Sequence, residues 1–481
     1  MTLPFRGAWE AADAIRRGLV SSVKLTRHIL ERIEKFNPAL NAIVTLLPEQ
    51  AMNEARAADM ARANGIVLGP LHGVPITIKD VFAVAGARTT AGVPALLHNV
   101  ATDDATAVAR LRAAGAVILG LTNVPYMSAA WVTTNEIFGR TNNPWDLART
   151  PGGSTGGGAA AVSAGLGYLA LGSDIAGSIR IPAHFCGLFG HKTSFGVIAS
   201  TGSFPDIPGS PPPVEDILGV SGLLARSARD LATALRIVGG PDGEQATAFH
   251  WSLPSARGAG LSEYRVGYVL DHPMCPVTRE VKNLLAMTVE KLRAAGVVLQ
   301  EGWPEGIDAK AQFHSYATIL NTHLNRNLDQ LSEDDLRKLL KAAPNSYEAE
   351  HARLFLGPTK NYLAALRERS AVRAAWRRYF AARDAFLMPT AFVVAIPHDS
   401  AQTNVISTST GSRAYDDLLF WIAAPTLTGC PATTAPVGLT DAGLPVGIQI
   451  MGPRYEDATT IDLAGRISEL TDGLRHPPKY L

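Results

Sequence analysis

The chain has 481 residues and a formal net charge of +1, from 44 Lys plus Arg against 43 Asp plus Glu. Apolar residues make up 47% and charged residues 18%, enough to bury a sizeable core, so disorder is excluded as the main state. The balanced charge argues against a dedicated nucleic-acid binder, which carries a marked Lys/Arg surplus or a basic stripe. The nearest approach to a stripe is Arg367, Arg369, Arg373, Arg377, Arg378 and Arg383; with Glu368 and Asp384 nearby, it reads as one solvated helix face. Cys186, Cys275 and Cys430 are odd in number and far apart, which fits a reducing compartment and offers no disulfide framework. There is no CxxC pair and no HExxH, so no sequence-local metal site is expected. Residues 1–10 lack a basic start and an apolar h-region, so no signal peptide is read. A run of 24 uncharged residues, 150–173, approaches the length of a membrane span, but seven glycines between 152 and 167 make it a buried segment instead. A soluble, cytoplasmic protein is expected.

In chain order, residues 8–36 carry Trp9, Ala12, Ile15, Leu19, Val23, Leu30 and Ile33 at three- and four-residue steps, with Thr26 in the gap, predicting an amphipathic helix. Val74–Ile78 and Val117–Leu121 read as strands. Between them 102–114 reads as a helix, with Asp103 and Asp104 at its start and Gly115 past its end. Helix followed by β-branched strand is half of a βαβ unit and points to α/β architecture. Residues 159–162 begin a further helix, and 202–215 is a Pro- and Gly-dense loop, long enough for a lid or pocket wall. The pattern restarts with strand 264–270, helix 279–295 and strand 297–300. Residues 310–383 look mostly helical, 385–388 and 445–451 read as strands, and a helix covers about 457–470. No repeat and no separating linker is visible, so a single large α/β/α domain spanning 1–481 is expected.

The most informative stretch is 151–194, which holds two Ser-bearing glycine-rich turns, Gly152–Gly158 and Gly172–Arg180. Glycines permit positive φ, and successive N–H groups in such a turn converge on an anion. A nest beside a Ser hydroxyl supplies a nucleophile and an oxyanion hole, the two parts of acyl transfer. Taken alone, the first turn is open to three readings. It is a tight loop under a sheet, or a phosphate cradle, against which no Gly-Lys-Ser/Thr follows, or a nucleophile elbow through Gly152-x-Ser154-x-Gly156. The elbow needs an acid and then a His downstream, and His398 and His476, alone after residue 351, sit in no recognisable context. Lys79, ending the apolar run 74–78, would by itself be read as snorkelling out of a strand end.

Together, Gly73-Val74-Pro75-Ile76-Thr77-Ile78-Lys79-Asp80, Gly152-Gly153-Ser154-Thr155-Gly156-Gly157 and Gly172-Ser173-Asp174-Ile175-Ala176-Gly177-Ser178-Ile179-Arg180 closely resemble the amidase signature family. The intervals of 75 residues from Lys79 to Ser154 and 24 from Ser154 to Ser178 fit that family. The resemblance is dense over about 65–240 and resumes at 421–452, within a C-terminal sheet and helix segment 421–481. Between them, about 241–420 is a variable, mostly helical, substrate-facing region. The fold it implies has a central mixed β-sheet covered by helices.

The resemblance implies that Ser178 is the acyl-accepting nucleophile and that Ser154, following a cis peptide, bridges it to the general base Lys79. It makes the N–H groups of Ile175, Ala176, Gly177 and Ser178 the oxyanion hole. Asp174 and Arg180 then hold the turn, Thr155 supports the relay, and Met127, Ser128 and Trp131 line an apolar acyl pocket, although Trp131 and Tyr126 are equally readable as core packing. For Lys79 to take a proton it must be neutral part of the time; bringing its pKa of about 10.4 down by roughly three units costs about 4 kcal/mol. Burial under the apolar run acts in that direction, and Asp80 must point elsewhere. Three positions depart from the family pattern: Ala176 replaces a usual Gly, Leu121 a common Lys, and Thr193-Ser194 the usual Pro-Thr. The function implied is an amidase, a serine hydrolase of neutral, hydrophobic or aryl amides, extending to carbamates and esters, with no metal and no cofactor. Its partner is a small-molecule amide or carbamate, with no nucleic acid and no membrane. No motif fixes oligomeric state, and a homodimer is common among enzymes of this size. The alternative is a glutaminase-type component of an amidotransferase complex.

Overall fold

The structure, a computed structural model, describes residues 3–481 except 210–214, 325–330, 343–351, 354 and 409–410. Among the described residues, eleven strands form one sheet. They are β1 (Ile43–Leu46), β2 (Pro75–Lys79), β3 (Val117–Thr122), β4 (Leu169–Asp174), β5 (Phe189–Lys192), β6 (Val220–Ala225), β7 (Arg265–Tyr268), β8 (Val298–Glu301), β9 (Ala385–Pro389), β10 (Ala432–Leu439) and β11 (Pro445–Met451). Their order is β1-β3-β2-β4-β6-β5-β10-β11-β9-β7-β8. The sheet is mixed: β3, β2 and β4 run parallel, as do β9, β7 and β8, while the pairs from β4 across to β9 and the β1–β3 pair are antiparallel. Helices flank it, Pro48–Ala63 against β3, Asp457–Thr471 and Arg279–Ala294 against β10, and Arg180–Cys186 against β10 and β11. Among the described residues, no helix is long and apolar enough to cross a membrane.

Several elements differ from expectation for identifiable reasons. The amphipathic stretch 8–36 is two helices, Ala8–Arg16 and Ser22–Leu40, separated by a turn in which Gly18 takes φ 71°. The second helix starts where Ser21 accepts the N–H of Lys24 and Asp59 accepts those of Ser22 and Val23. The helix read at 102–114 is Thr106–Ala113, because Asp104 is drawn to the N–H of Ala85 and the guanidinium of Arg112 instead of capping it. Strands β4, β5 and β6 escape a period-2 reading because both of their faces are covered, and each is interrupted by a glycine that breaks any β-branched run. The uncharged run is buried as the helix Gly156–Ser163 and strand β4. The described parts of 202–215 are irregular, and 210–214 lie outside the described residues. The 310–383 stretch contributes the helices Ala309–Leu324, Glu333–Ala342 and Thr359–Ala382, with 325–330, 343–351 and 354 outside the described residues.

The basic stripe needs correction. Arg367, Arg377 and Arg378 are exposed, but Arg369 is only 8% exposed and Arg373 is half-buried. The Nε groups of these last two donate to the carbonyls of Leu427 and Thr428, each at 2.9 Å. These carbonyls end the helix Leu419–Thr428, where unpaired acceptors and the helix dipole attract cations. The stripe is thus two faces, one solvated and one turned onto a helix terminus.

Candidate active site

Lys79 is the last residue of β2, and the apolar run before it is fully covered, so its side chain has no route to water. Its Nζ lies 2.7 Å from Ser154 Oγ and 2.9 Å from Ser173 Oγ. Burial lowers the ammonium to about 7, against the pull of Asp174 in the opposite direction. Asp80 points away, its carboxylate accepting both the N–H and the hydroxyl of Thr90. Burial lifts that carboxyl to about 7, partly offset by the Thr90 hydrogen bonds.

Ser154 follows a cis peptide bond from Gly153 and leads directly into the helix Gly156–Ser163. Thr155 ties it to both neighbouring segments: its N–H donates to the Ser178 carbonyl at 3.0 Å and its hydroxyl to the Ser173 carbonyl at 3.3 Å. Ser178 therefore joins the group through its main chain. It is 5% exposed, while Ser154 is 1% exposed.

The turn between β4 and the helix Arg180–Cys186 is organised by one carboxylate. Asp174 accepts the N–H groups of Gly177 and Ile179 at 3.0 Å and pairs with Arg180, whose Nη2 is 2.7 Å away. Burial alone would raise the Asp174 carboxyl, but the charge and hydrogen bonds of Arg180 hold it at about 2. Arg180 spends its remaining N–H groups on Ile422 O, Gln449 Oε1 and Thr426 Oγ1. Both residues are fully buried and shape the turn. The N–H of Gly177 is thereby engaged by Asp174, which separates it from the other three expected anion-facing donors. Those of Ile175, Ala176 and Ser178 find no protein acceptor among the described residues. The positive φ of the turn, 81°, falls on Gly177, so Ala176 takes a conformation ordinary for an L-residue. A Cβ on Gly177 would also lie 2.9 Å from Ile181 Cδ1 and 3.0 Å from Ile422 Cγ2. Gly177→Ala is expected to lose about 2–4 kcal/mol of stability in urea denaturation, from the left-handed conformation and the crowding together.

Two side chains that sequence reading treats differently hold the turn from outside. Trp131, expected in a pocket, is 7% exposed and its Nε1 donates to the Ala176 carbonyl at 2.7 Å. Tyr415 fixes it, its hydroxyl accepting the N–H of Trp131 and of Val132. Tyr316, from the helix Ala309–Leu324, donates to the Ile175 carbonyl at 2.9 Å. Fastening both carbonyls directs the opposite N–H edge of the turn. Trp131→Phe keeps a ring but removes one hydrogen bond of about 1 kcal/mol, so kcat on an amide is expected to fall about fivefold with little change in fold. Met127 is partly buried against the core, and Met127 and Ser128 take φ of 51° and 56°, a tandem left-handed bend. The Ser128 hydroxyl is buried without a partner among the described residues. Sequence reading misses Ser173, Tyr316 and Tyr415. Ser173 stands inside the Gly-Ser-Asp motif and is within its reach, whereas nothing local marks the two tyrosines.

A mixed sheet thus buries a lysine against two serines, beside a glycine turn shaped by an Asp–Arg pair. The amidase profile matches residues 24–461, and the chain belongs to the amidase signature family and is an amide-hydrolysing enzyme. It is 32% identical to a component of the glutamyl-tRNA(Gln) amidotransferase of Moorella thermoacetica, covering 100% of this chain and 99% of that one. It is 31% identical to the indoleacetamide hydrolase of Bradyrhizobium diazoefficiens, over 97% of this chain and 87% of the relative. Among solved structures, the crystal structure of an amidase superposes with a TM-score of 0.79 at 29% identity, over 96% of this chain and 99% of that one.

Proposed function

We propose that the chain is a stand-alone serine hydrolase of neutral, hydrophobic or aryl amides, acting through an acyl-enzyme on Ser178. The observation that carries this is Lys79 Nζ at 2.7 Å from Ser154 Oγ, with burial bringing the amine to about 7. Neutral Lys79 accepts the Ser154 hydroxyl proton as Ser154 accepts that of Ser178, and Ser178 Oγ bonds to the amide carbon. The carbonyl electron pair moves onto oxygen, held by the N–H groups of Ile175, Ala176 and Ser178. Collapse expels the amine, which takes the proton back through the relay. Water, giving its proton to the same relay, then cleaves the ester and releases the acid. Carbamates and esters pass through the same tetrahedral state.

Neutral substrates are favoured because two basic side chains beside the turn, Arg180 and Lys192, are already committed. Arg180 is saturated by Asp174, Ile422, Thr426 and Gln449, and Lys192 donates to the carbonyls of Thr193 and Cys430. Neither is free to clamp a substrate carboxylate. A fluorophosphonate adduct mapped by mass spectrometry is expected on Ser178; an adduct on Ser154 would reassign the nucleophile. The second reading, a glutaminase-type component of a larger assembly, is favoured by the 32% identity with the amidotransferase protein. Purified alone, the chain is expected to hydrolyse indoleacetamide or an aryl anilide in preference to glutamine. Turnover of glutamine only, or turnover only with a partner, would establish the second reading.

A further inference from the structure

The helix Pro48–Ala63 ends on a turn in which Gly65 takes φ 74°. The N–H of Gly65 donates to Arg62 O at 2.9 Å and that of Ile66 to Ala61 O at 2.8 Å. This pair of bonds folds the chain back over the last helical turn and brings Ile66 level with Met60 and Ala61. The side chains gathered there are open to solvent: Leu19, Met60, Ile66, Val67 and Leu68 are each between 42% and 69% exposed. Leu19 joins the group because its turn lies on the same helix end. A Cβ on Gly18 would be 3.1 Å from Arg62 Nη1, and Asp59 accepts the N–H groups of Ser22 and Val23. At the other side the N–H of Leu68 donates to His72 Nδ1 at 3.1 Å, and Leu68 Cβ is 3.1 Å from the point where Gly115 would carry one. The run 66–68 is thus held by its ends, not by burial of its side chains.

Three consecutive apolar residues that all face water are unusual, because a helix or strand turns at least one of them inward. With Leu19 and Met60 they present roughly 500 Å² of apolar surface, a size at which a patch is often functional. Charges of both signs surround it. Arg16 and Arg17 pair with Asp13 at the end of the helix Ala8–Arg16, and Arg56, Arg62 and Asp59 stand on the helix Pro48–Ala63. The patch is also remote from Lys79. Leu68 packs at Gly115, two residues before β3 starts, whereas Lys79 is the last residue of β2. The two strands are parallel, so the patch and the amine lie at opposite ends of them.

We propose that this patch is the interface of a two-fold dimer, in which Met60 and the run Ile66–Leu68 of one copy cover those of the other. A second copy suits the surface because a two-fold interface is made of one patch that complements itself. An apolar centre meets that condition, and a rim with both signs lets the arginines of one copy face the carboxylates of the other. The area agrees. The two apolar centres together remove roughly 1,000 Å² from water, and the rim brings the total into the range of about 1,200–2,000 Å² that stable interfaces bury. Pairing at this end leaves the reacting serines of both copies accessible.

Analytical ultracentrifugation of the full chain at micromolar concentration tests the interface. Sedimentation at twice the mass of one chain is expected, with the dissociation constant raised at least about thirtyfold in Val67→Glu and in Met60→Lys. The two variants add opposite charges, so a loss in both reports the apolar contact and not the rim. Met287→Glu alters an exposed methionine on the helix Arg279–Ala294 and is expected to leave the constant unchanged. Val67 and Met60 are exposed, and urea unfolding of each variant is expected to match that of the dissociated parent. A parent that sediments as a monomer would overturn the proposal, as would a dimer that neither variant weakens. Vesicles of phosphatidylcholine and phosphatidylglycerol form the second arm: co-sedimentation of a monomeric parent with them, lost in Val67→Glu, would assign the patch to a lipid surface instead.

Discussion

Replacing Ser178 by alanine is expected to lower amide turnover at least about 10⁴-fold while leaving the protein folded. The separation of the two effects follows from how Ser178 is held. Its carbonyl accepts the N–H of Thr155, and the turn around it is built by Asp174 and Arg180, so among the described residues its hydroxyl carries none of the structural hydrogen bonds. Unfolding curves for the variant should overlay those of the parent. Ser154→Ala removes only the proposed bridge and is expected to cost less, about 10²–10⁴-fold, because the proposed nucleophile, Ser178, remains. Unchanged hydrolysis of every amide, carbamate and ester by the Ser178 variant would remove that residue from the chemistry.

The parent enzyme is expected to show a rise of kcat/KM on passing about pH 7, the value to which burial brings the Lys79 amine, and Lys79→Met is expected to abolish it. Stability carries the second signature, and its sign is fixed by linkage. In the unfolded chain Lys79 binds a proton up to its ordinary value of 10.5, whereas in the fold it releases it near 7. Between these limits the unfolded state holds more protons, so stability rises with pH across about 7 to 10.5. Below 7 the folded state bears the full cost of a dry ammonium, of order 5 kcal/mol. Lys192, also brought to about 7 by burial and by the charge of Arg180, acts with the same sign. The variant should therefore retain part of the slope, and the difference between the two curves isolates Lys79. Denaturant titrations at about pH 6 and about pH 9, on either side of the folded value, measure it. A slope unchanged by Lys79→Met would show that the amine is not depressed in the fold.

The fold and the site are legible in the sequence unevenly. Strands β2, β3, β7, β8, β9 and β11 are readable within one or two residues, because each is a short apolar or β-branched run set off by turn residues or a preceding helix. Strands β4, β5 and β6 are covered on both faces and broken by glycine, so neither alternation nor a continuous run marks them; β10 is anticipated only through the resemblance of 421–452. Gly18 ends a helix that the apolar steps continue through. At the site, Lys79 and Ser154 stand 75 residues apart yet come within 2.7 Å, and motifs locate them because each is embedded in its own glycine-containing context. Trp131 is legible as important but not in what it does, since its ring serves the Ala176 carbonyl. Tyr316 reaches Ile175 from 141 residues away, and no local pattern encodes a contact set by packing between distant elements. The arginines of 367–383 show the same limit: spacing marks the helix face, and only the terminus of another helix decides which of them turn inward.

The amine and one of its two hydroxyl neighbours, that of Ser173, owe their separation to adjoining strands. Thr77 and Ile78 pair with Ala170 and Leu171, so Lys79 and Ser173 lie at the ends of a ladder whose spacing of about 4.8 Å is common to every sheet. The amine is thus anchored in the sheet, while Ser154 and Ser178 stand on the turns that lead into helices. Changes in the helix Ala309–Leu324 would therefore reach the turn first through Tyr316, whose hydroxyl donates to the Ile175 carbonyl, and leave the position of the amine in the sheet untouched.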